Sequence, residues 1–414
     1  MIRPYYSDKT AVVGIGQTEF SKNSGRTELQ LAAEAILAAV EDAGLTTNDI
    51  DGMVTFAADQ NDELALIRSL GVPELSYTGR TRGGGGGSAA TVQLAAAAVA
   101  SGVANTVVVY RAFNERSGQR FGQPMTQNAG AAARGGAGGA ARPAAPAAPA
   151  PNLMMMMRGR MPGFNMYQVY GLDTPAKTYS LWYQRYMYEY GVTNEDFGRY
   201  GVIARKHAAT NPAAWFFQRP ITIEDHQASR WIVEPILRKL DCCQESDGGV
   251  ALVITSADRA KDLPQPPVRI VAAAQAHTRN GEEMYDLYNG SRADFPECRA
   301  LGRNLYDASG LSPDDIDVAM IYENFTPVVF LQLEALGFCG PGEAKDFIKD
   351  GNIEIGGKTP VNTNGGLLGE GYIHGVNNIL EGVRQMRGTA PNQIPNAEHA
   401  LISAGRSGII LGKS

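Results

Sequence analysis

A short pattern that occurs twice, far apart in the chain, limits the folds open to this sequence. Residues 42–56 and residues 310–322 share a glycine–leucine pair, an acidic turn and an apolar run. Each copy follows a stretch with helical spacing of apolar residues, so the glycine closes a helix and the apolar run is a buried strand. The matching positions, offset by 310 − 44 = 266, are Gly44 with Gly310, Leu45 with Leu311, Ile50 with Ile316 and Asp51 with Asp317.

The repeat extends to either side of this pattern. A strand at 11–18 has a counterpart at 268–275, and a glycine-rich turn that opens an Ala-rich helix at 83–100 has one from Gly365 onward. Two such halves predict an α/β fold with a duplicated five-layer α-β-α-β-α architecture. Chance similarity between two unrelated α/β units is the alternative. The predicted halves are residues 1–260, with an inserted loop region at about 112–240, and residues 261–414.

The composition argues against several classes of function. The 414 residues carry a net charge of -6, whereas proteins that bind the nucleic-acid backbone present dense Lys and Arg surfaces. No apolar run approaches the ~20 residues needed to span a bilayer, and the N-terminus lacks a signal peptide's apolar segment. The four cysteines show neither a disulfide framework nor the spacing of paired zinc ligands. We therefore expect a cytoplasmic protein with no metal site and no nucleic-acid or membrane partner.

Two stretches in the middle of the chain have unusual composition. Residues 129–151 are almost wholly Ala, Gly and Pro, which is typical of a mobile loop, and four methionines follow at 154–157. An aromatic helix is predicted at Tyr179–Tyr190. Such a stripe is more often core or dimer surface than a ligand wall, although it could also cover a large apolar substrate.

Three motifs placed by the repeat resemble the thiolase superfamily. The glycine run that opens the first Ala-rich helix lies where thiolases have their nucleophilic cysteine, and here that position, near Gly85, is glycine. The motif Tyr322-Glu-Asn-Phe-Thr-Pro begins with tyrosine where thiolases have an oxyanion-hole residue. The motif at 365–375 has Tyr372 in place of the thiolase histidine, and Ser403 lies near the place of the second cysteine. Four changed positions, two of them to tyrosine, indicate a reaction without an acyl-enzyme.

Longer strings with a specific family pattern lie at residues 172–186, 226–235 and 240–248 and in the Tyr372 motif. They are similar to the lipid-transfer-protein-type aldolases of bacterial steroid side-chain degradation. That family has a thiolase fold and cleaves β-hydroxyacyl-CoA by retro-aldol reaction; its steroid substrate, 17-hydroxy-3-oxopregn-4-ene-20-carboxyl-CoA, gives androstenedione and propionyl-CoA. The resemblance also implies a homodimer bound to the zinc-ribbon and OB-fold domain of a partner enoyl-CoA hydratase. It implies that zinc is bound only in that partner domain. It implies no cofactor in this chain, since the acyl-CoA is the substrate. The Ala/Gly/Pro-rich stretch at 129–151 and the four methionines at 154–157 depart from the family pattern.

The resemblance assigns the reaction to Tyr322 and Tyr372. One would be the general base for the hydroxyl proton and the other the general acid for the enolate carbon, in an order that the sequence leaves open. Because a phenol has a pKa near 10, we expect the positive end of a helix after Gly371 to lower the pKa of Tyr372. A single tyrosine at a strand end is usually a packed ring, but two on converging loops favour function.

Further residues complete the predicted site. His374 is displaced by two positions from the thiolase histidine and would be either a support or a structural cap. Glu370 and Asn324 would also support the tyrosines, although loop carboxylates such as Glu370 and Glu323 are usually solvated. Backbone N–H groups of the glycine turn would hold the enolate oxygen. The predicted cradle consists of Gly84, Gly85 and Gly86.

Two other functions are weighed against the aldolase. A non-catalytic scaffold that binds acyl-CoA or sterol would need neither tyrosine. A true acetyl-CoA acyltransferase would need a relocated nucleophile such as Cys339, which lies in the predicted loop 336–342 and at no helix start.

Overall fold

The fold consists of two similar series of strands and helices. A computed structural model describes residues 6–82, 84–118, 120, 169–279 and 293–413. The Ala/Gly/Pro-rich stretch at 129–151 and the methionines at 154–157 lie outside these residues. Within the described part of the chain, no helix is long and apolar enough to cross a membrane.

The first series ends with a long strand at residue 256. In chain order its elements are β1 (Thr10–Gln17), α1 (Glu28–Asp42), β2 (Gly52–Phe56), α2 (Glu63–Leu70), β3 (Tyr77–Thr81), α3 (Ser88–Ala100), β4 (Thr106–Asn114), α4 (Pro175–Tyr190), α5 (Asn194–Ala209), α6 (Ile223–Ala228), β5 (Trp231–Val233), β6 (Leu237–Arg238) and β7 (Asp247–Ser256). Strands β5 and β6 form a separate two-stranded sheet.

The second series begins after a short connecting helix. Its elements are α7 (Ala257–Ala260), β8 (Val268–Gln275), α8 (Pro296–Ser309), β9 (Val318–Ile321), α9 (Pro327–Ala335), α10 (Ala344–Lys349), α11 (Gly366–Gly369), α12 (Val376–Arg387), β10 (His399–Ser403) and β11 (Ser407–Lys413). The predicted division of the chain at residue 260 stays a prediction.

The strand pairing repeats between the two series. In the first, β2 runs parallel to β4, which is antiparallel to β7, which is antiparallel to β1. In the second, β9, β10, β11 and β8 pair in the same sequence with the same directions. The two series join through a short antiparallel contact of β1 with β8, which gives the order β3-β2-β4-β7-β1-β8-β11-β10-β9. The predicted duplication is therefore confirmed.

The helices occupy three layers. Helix α1 packs on β1, β4 and β7, and α8 packs on β8 and β11. Helices α3 and α12 each contact strands of both series, so they lie between the two halves of the sheet. Almost every side chain of α12 is buried, as expected for a helix covered on all sides. This arrangement is the five-layer α-β-α-β-α architecture predicted from the repeat.

The two repeated glycines end their helices as predicted. Gly310 follows α8 with φ +79°, and Gly44 follows the last residue of the α1 cap with φ +66°. Both values lie in the left-handed region, which glycine adopts without a Cβ penalty. At the opposite end, Thr27 caps α1 in a capping box with Gln30.

The predicted aromatic helix is part of the core. Helix α4 spans Pro175–Tyr190, and Trp182, Tyr183 and Tyr186 are buried. The Tyr183 ring lies 6.2 Å from the ring of Phe325. Phe325 belongs to the motif that begins at Tyr322, so α4 packs against this motif.

Candidate active site

The structure brings Tyr322 and Tyr372 together. Their hydroxyl oxygens lie 2.8 Å apart, and their ring centroids are 6.3 Å apart at an interplanar angle of 56°. Tyr322 directly follows β9, whereas Tyr372 lies between α11 and α12. Either phenol can donate to the other, so the hydrogen bond has no intrinsic direction. This hydrogen bond connects the Tyr322 and Tyr372 motifs, which the sequence indicated as functional.

Two hydrogen bonds fix the backbone of Tyr322, and a third connects the two residues that make them. Its N–H donates to the Ser403 carbonyl oxygen at 2.8 Å, and its carbonyl oxygen accepts from Gln332 Nε2 at 2.7 Å. The Ser403 hydroxyl in turn donates to Gln332 Oε1 at 2.8 Å. Ser403, which lies near the second cysteine position of thiolases, therefore holds the tyrosine in place. Nothing in the sequence indicated a role for Gln332.

Glu370 organises the loop that carries Tyr372. Its carboxylate is fully buried and accepts from the amides of Asn364 at 2.7 Å, Asn377 at 2.8 Å and Asn211 at 3.2 Å. Asn377 also donates to the Gly371 carbonyl oxygen at 3.0 Å. The expectation that this loop carboxylate is solvated is wrong, because three amides replace water around it. These hydrogen bonds make Glu370 a support for the loop.

Glu323 connects the two motif loops. Its buried carboxylate accepts from the backbone N–H of Leu367 at 2.6 Å, and a Cβ atom at Gly366 would lie only 1.7 Å from its Oε1. Burial raises the pKa of Glu323 from 4.5 to about 8, against the lowering effect of the Leu367 hydrogen bond. We expected this carboxylate to be solvated as well, but it is buried.

The Tyr322 ring occupies the space of a side chain at position 85. A Cβ atom at Gly85 would lie 2.0 Å from Tyr322 Cε2 and 2.3 Å from its hydroxyl oxygen. Gly85 begins a short 3-10 turn, Gly85–Gly87, that leads directly into α3. A cysteine at this position would overlap the tyrosine ring. Gly84 precedes this turn and Gly86 lies within it, at the start of α3, where backbone N–H groups have no partner within the helix itself.

His374 lies beside the tyrosine pair in a left-handed backbone conformation, with φ +51°. Its ring meets the Tyr372 ring edge-on, with centroids 5.4 Å apart and an angle of 89°. A Cβ atom at Gly84 would lie 3.8 Å from His374 Nε2. The imidazole therefore lies between the tyrosine and the glycine turn, and burial lowers its pKa well below the ordinary value, with a further contribution from Arg111.

Arg111 contacts the far side of His374. Its Nε donates to His374 Nδ1 at 3.2 Å, and its Nη1 donates to Asp59 Oδ2 at 2.6 Å. All three side chains are buried. The sequence contains a signal for this pair, because Arg111 is a charged residue within the apolar strand β4 and needs a buried partner. Sequence reasoning missed it.

Both phenols have a raised pKa. Burial raises the pKa of Tyr322 and of Tyr372 well above the ordinary value, and a negative charge at Cys243 would raise both further. Tyr322 also raises the pKa of Tyr372, whereas the hydrogen bond with Tyr372 lowers the pKa of Tyr322. The prediction that a helix lowers the pKa of Tyr372 is wrong, since α12 begins only at Val376. Both tyrosines are therefore neutral at pH 7.

Asn324 is the remaining predicted support. It is half-buried, and its carbonyl oxygen accepts from the backbone N–H of Cys243 at 2.9 Å. This bond links the Tyr322 motif to the segment before β7. The functional roles of all these side chains stay predictions.

None of the cysteines has the environment of a nucleophile. All four are free, and burial raises the pKa of Cys339 and of Cys298 to about 12. Burial also raises the pKa of the Cys243 thiol well above its ordinary value. A thiolate is the reactive form of cysteine, so these thiols are poorly suited to attack a thioester. Among the residues that the structure describes, no group of three or more His, Cys, Asp or Glu is arranged for a metal ion.

Comparison with known proteins identifies the family of this chain. Residues 281–412 match the thiolase C-terminal domain-like family. The chain is 53% identical over 411 residues to a steroid side-chain-cleaving aldolase of Thermomonospora curvata, with 97% of each chain covered. This chain belongs to the steroid side-chain-cleaving aldolase family.

Two further relatives of this family cover nearly the full length. One is the 17-hydroxy-3-oxo-4-pregnene-20-carboxyl-CoA lyase of Mycobacterium tuberculosis, 51% identical over 98% of this chain and 100% of its own. The other is a solved structure described as an Ltp2-ChsH2(DUF35) aldolase, 50% identical, with a TM-score of 0.85 and 99% of both chains covered. The thiolase-like fold and the family inferred from the motifs are thus confirmed.

Proposed function

We propose that this protein is a carbon–carbon lyase that cleaves 17-hydroxy-3-oxo-4-pregnene-20-carboxyl-CoA to androstenedione and propionyl-CoA. The 51% identical relative is named as the lyase for this compound. The observation that carries the proposal is the 2.8 Å contact between the Tyr322 and Tyr372 hydroxyls, at a site where Gly85 leaves no nucleophile. Two acid–base groups and no nucleophile suit a retro-aldol reaction rather than acyl transfer.

The reaction needs two proton transfers and no net change in oxidation state. The tertiary hydroxyl loses its proton while the bond between the α and β carbons breaks, which turns the β carbon into a ketone. The bonding electron pair moves to the α carbon and onto the thioester oxygen as an enolate. A proton then adds to the α carbon and gives the acyl-CoA product. Free CoA is not consumed, because the thioester bond stays intact.

The raised pKa values restrict how the tyrosines act. A neutral phenol accepts a proton readily only if it passes its own proton on. The hydrogen bond between Tyr322 and Tyr372 supplies that route: one phenol takes the hydroxyl proton as it donates to the other, which protonates the α carbon. In this relay no free tyrosinate accumulates in the buried site. Either phenol can be the donor in this hydrogen bond, so the position of the substrate sets the order of the two tyrosines.

The enolate oxygen needs hydrogen-bond donors. The turn residues Gly84, Gly85 and Gly86 lie just before α3, the Tyr322 ring packs against Gly85, and a helix start favours negative charge. We assign this turn to the thioester oxygen. Gly85 then has two functions, since the missing side chain leaves room for the tyrosine while the backbone approaches the substrate.

We also propose that the chain acts as a homodimer with a DUF35-type partner. The solved relative is an Ltp2-ChsH2(DUF35) aldolase. By analogy the partner would be the zinc-ribbon and OB-fold domain of an enoyl-CoA hydratase, with zinc confined to that domain and no cofactor in this chain. Four free cysteines are consistent with a reducing cytoplasm.

A direct assay tests the proposal. The purified chain, with its DUF35-type partner, is incubated with 17-hydroxy-3-oxo-4-pregnene-20-carboxyl-CoA, and androstenedione and propionyl-CoA are quantified by liquid chromatography. We expect both products in equal amounts. The proposal fails if the substrate stays intact with the partner present, which is also the outcome for a non-catalytic sterol-binding scaffold.

A further inference from the structure

We propose that Asp59 and Arg111 are positioning residues that hold His374 as a neutral imidazole with its ring proton on Nε2. We further propose that this N–H donates to the thioester oxygen of the bound acyl-CoA. The second statement rests on the proposed function, whereas the first concerns the protein alone. The chain of contacts is Asp59 Oδ2 to Arg111 Nη1 at 2.6 Å and Arg111 Nε to His374 Nδ1 at 3.2 Å.

The direction of these hydrogen bonds determines the tautomer. A guanidinium has only donors and stays protonated in proteins, so Arg111 Nε–H can only donate. His374 Nδ1 must then be the acceptor and carries no proton. An imidazole without a proton on Nδ1 carries it on Nε2. Protonation of His374 Nδ1 would place its N–H against the Nε–H of Arg111, which is a permanent cation, so the imidazole stays neutral.

Asp59 keeps the guanidinium in place. Its Oδ2 accepts from Arg111, and its Oδ1 accepts from both the backbone and the side-chain N–H groups of Asn61 at 2.9 Å. Arg111 is 2% exposed and Asp59 is 4% exposed, so each charge depends on the other. The guanidinium carbon also lies 4.4 Å from the centre of the Phe113 ring. Arg111 is therefore fixed both electrostatically and by packing.

The Nε2 edge of the ring faces the proposed oxyanion site. Nδ1 points to Arg111, so Nε2 lies on the opposite edge, 3.8 Å from where a Cβ of Gly84 would be. The perpendicular contact with Tyr372 places the same imidazole beside the proton relay. Its backbone φ of +51° is uncommon for a residue other than glycine. Such strain is typical of positions where function fixes the side chain.

This arrangement suits the chemistry of a leaving enolate. Negative charge develops on the thioester oxygen as the carbon–carbon bond breaks. A neutral N–H donor stabilises that charge without supplying a proton to the oxygen, which leaves the α carbon to be protonated by a phenol. The His374 donor would act together with the N–H groups at the start of α3.

Two substitutions of His374 distinguish the loss of the hydrogen-bond donor from a loss of stability. His374→Gln places an amide N–H close to the position of Nε2, whereas His374→Asn reaches only the position of Nδ1. Asparagine tolerates a positive φ better than glutamine, so the Asn variant should melt at the higher temperature. We expect the opposite order in kcat, with the Asn variant reduced about 100- to 1000-fold and the Gln variant less affected, while KM changes little. Equal kcat values for the two variants would overturn the donor role.

A spectroscopic measurement tests the tautomer without any substrate. The 15N shifts of labelled histidine distinguish a protonated from an unprotonated ring nitrogen, and the His374→Asn spectrum identifies the signals among the five histidines. We expect an unprotonated Nδ1 and a protonated Nε2 in the wild-type chain, and a mixture of tautomers in Arg111→Gln. A protonated Nδ1 in the wild type overturns the positioning role, even if the enzyme cleaves steroid-CoA. The expected shifts with no cleavage would instead overturn the proposed function.

Discussion

The ring of Tyr322 fills the volume that a side chain at Gly85 would need, since a Cβ there would lie 2.0 Å from Tyr322 Cε2. The nucleophile position of a thiolase and this tyrosine are therefore mutually exclusive. Reintroducing the cysteine would displace the tyrosine rather than restore a thiolase. The glycine is as much a part of the site as the phenol.

Gly85→Ala should abolish most activity. The added methyl group forces the Tyr322 ring away from Tyr372, and a shift of about 1 Å at a reacting group costs about 100-fold in rate. The matched control is Gly302→Ala, because a Cβ at this buried glycine of α8 makes only ordinary contacts, the nearest at 3.5 Å. Steady-state kinetics and thermal melts of both variants check the prediction. Equal activity of the two would show that the ring is not confined by Gly85.

Tyr322→Phe and Tyr372→Phe should each reduce kcat by about 100- to 10000-fold, since either change interrupts the proton relay. The double variant should be scarcely slower than the single variants, because the two phenols act as one unit. Tyr306→Phe is the control. Tyr306 lies on the outer helix α8, where its hydroxyl donates to the Leu336 carbonyl oxygen at 3.0 Å. The free energy of unfolding of this control variant should fall by about 1 kcal/mol, while its kcat stays unchanged. Additive effects in the double variant would argue for two independent roles.

Glu323→Gln should flatten the dependence of stability on pH. Burial raises the pKa of Glu323 from 4.5 to about 8, so between these values the folded chain holds a proton that the unfolded chain has released. Stability therefore falls as pH rises through this range, by at most about 1.4 kcal/mol per pH unit for one group.

Melting temperatures from pH 5 to pH 8 test this effect. The difference between Glu323→Gln and the wild type should shift in favour of the variant as pH rises. The exposed Glu195→Gln on α5 serves as the control and should follow the wild-type curve. A constant difference across the range would mean that Glu323 is ionised in the folded protein.

The cysteines should react slowly. Burial raises the pKa of Cys298 and of Cys339 to about 12, so alkylation by iodoacetamide at pH 8 should be much slower than that of a free thiol. Mass spectrometry of the intact chain after incubation with acyl-CoA should show no covalent adduct. An acyl group on any cysteine would support the thiolase alternative.

The sequence allowed the fold to be predicted because the repeat marks both halves. Gly44 and Gly310 correctly placed two helix ends, and the repeat placed the motifs of Tyr322 and Tyr372 on loops that meet. These are local signals, since turn chemistry and hydrophobic runs act over a few residues.

The contacts around the tyrosines depend on packing and could not be predicted. Arg111 stands out as a charged residue in an apolar strand, but His374 lies 263 positions away and nothing in the sequence identifies it as the partner. The carboxylate of Glu370 is satisfied by three asparagines, one of them 159 positions away, that only the folded chain brings together. The start of α12 was misplaced because the backbone is left-handed at His374 and Gly375, which delays the helix to Val376.

The most direct test of a retro-aldol reaction at this tyrosine pair is cleavage of the steroid-CoA in D2O without added free CoA. We predict androstenedione and propionyl-CoA in equal amounts, with one deuterium at the α carbon of propionyl-CoA, because an exchangeable phenol proton quenches the enolate. Mass spectrometry of the released propionyl-CoA measures this directly. Cleavage that requires free CoA, or propionyl-CoA without deuterium, would contradict a retro-aldol reaction at the Tyr322–Tyr372 pair.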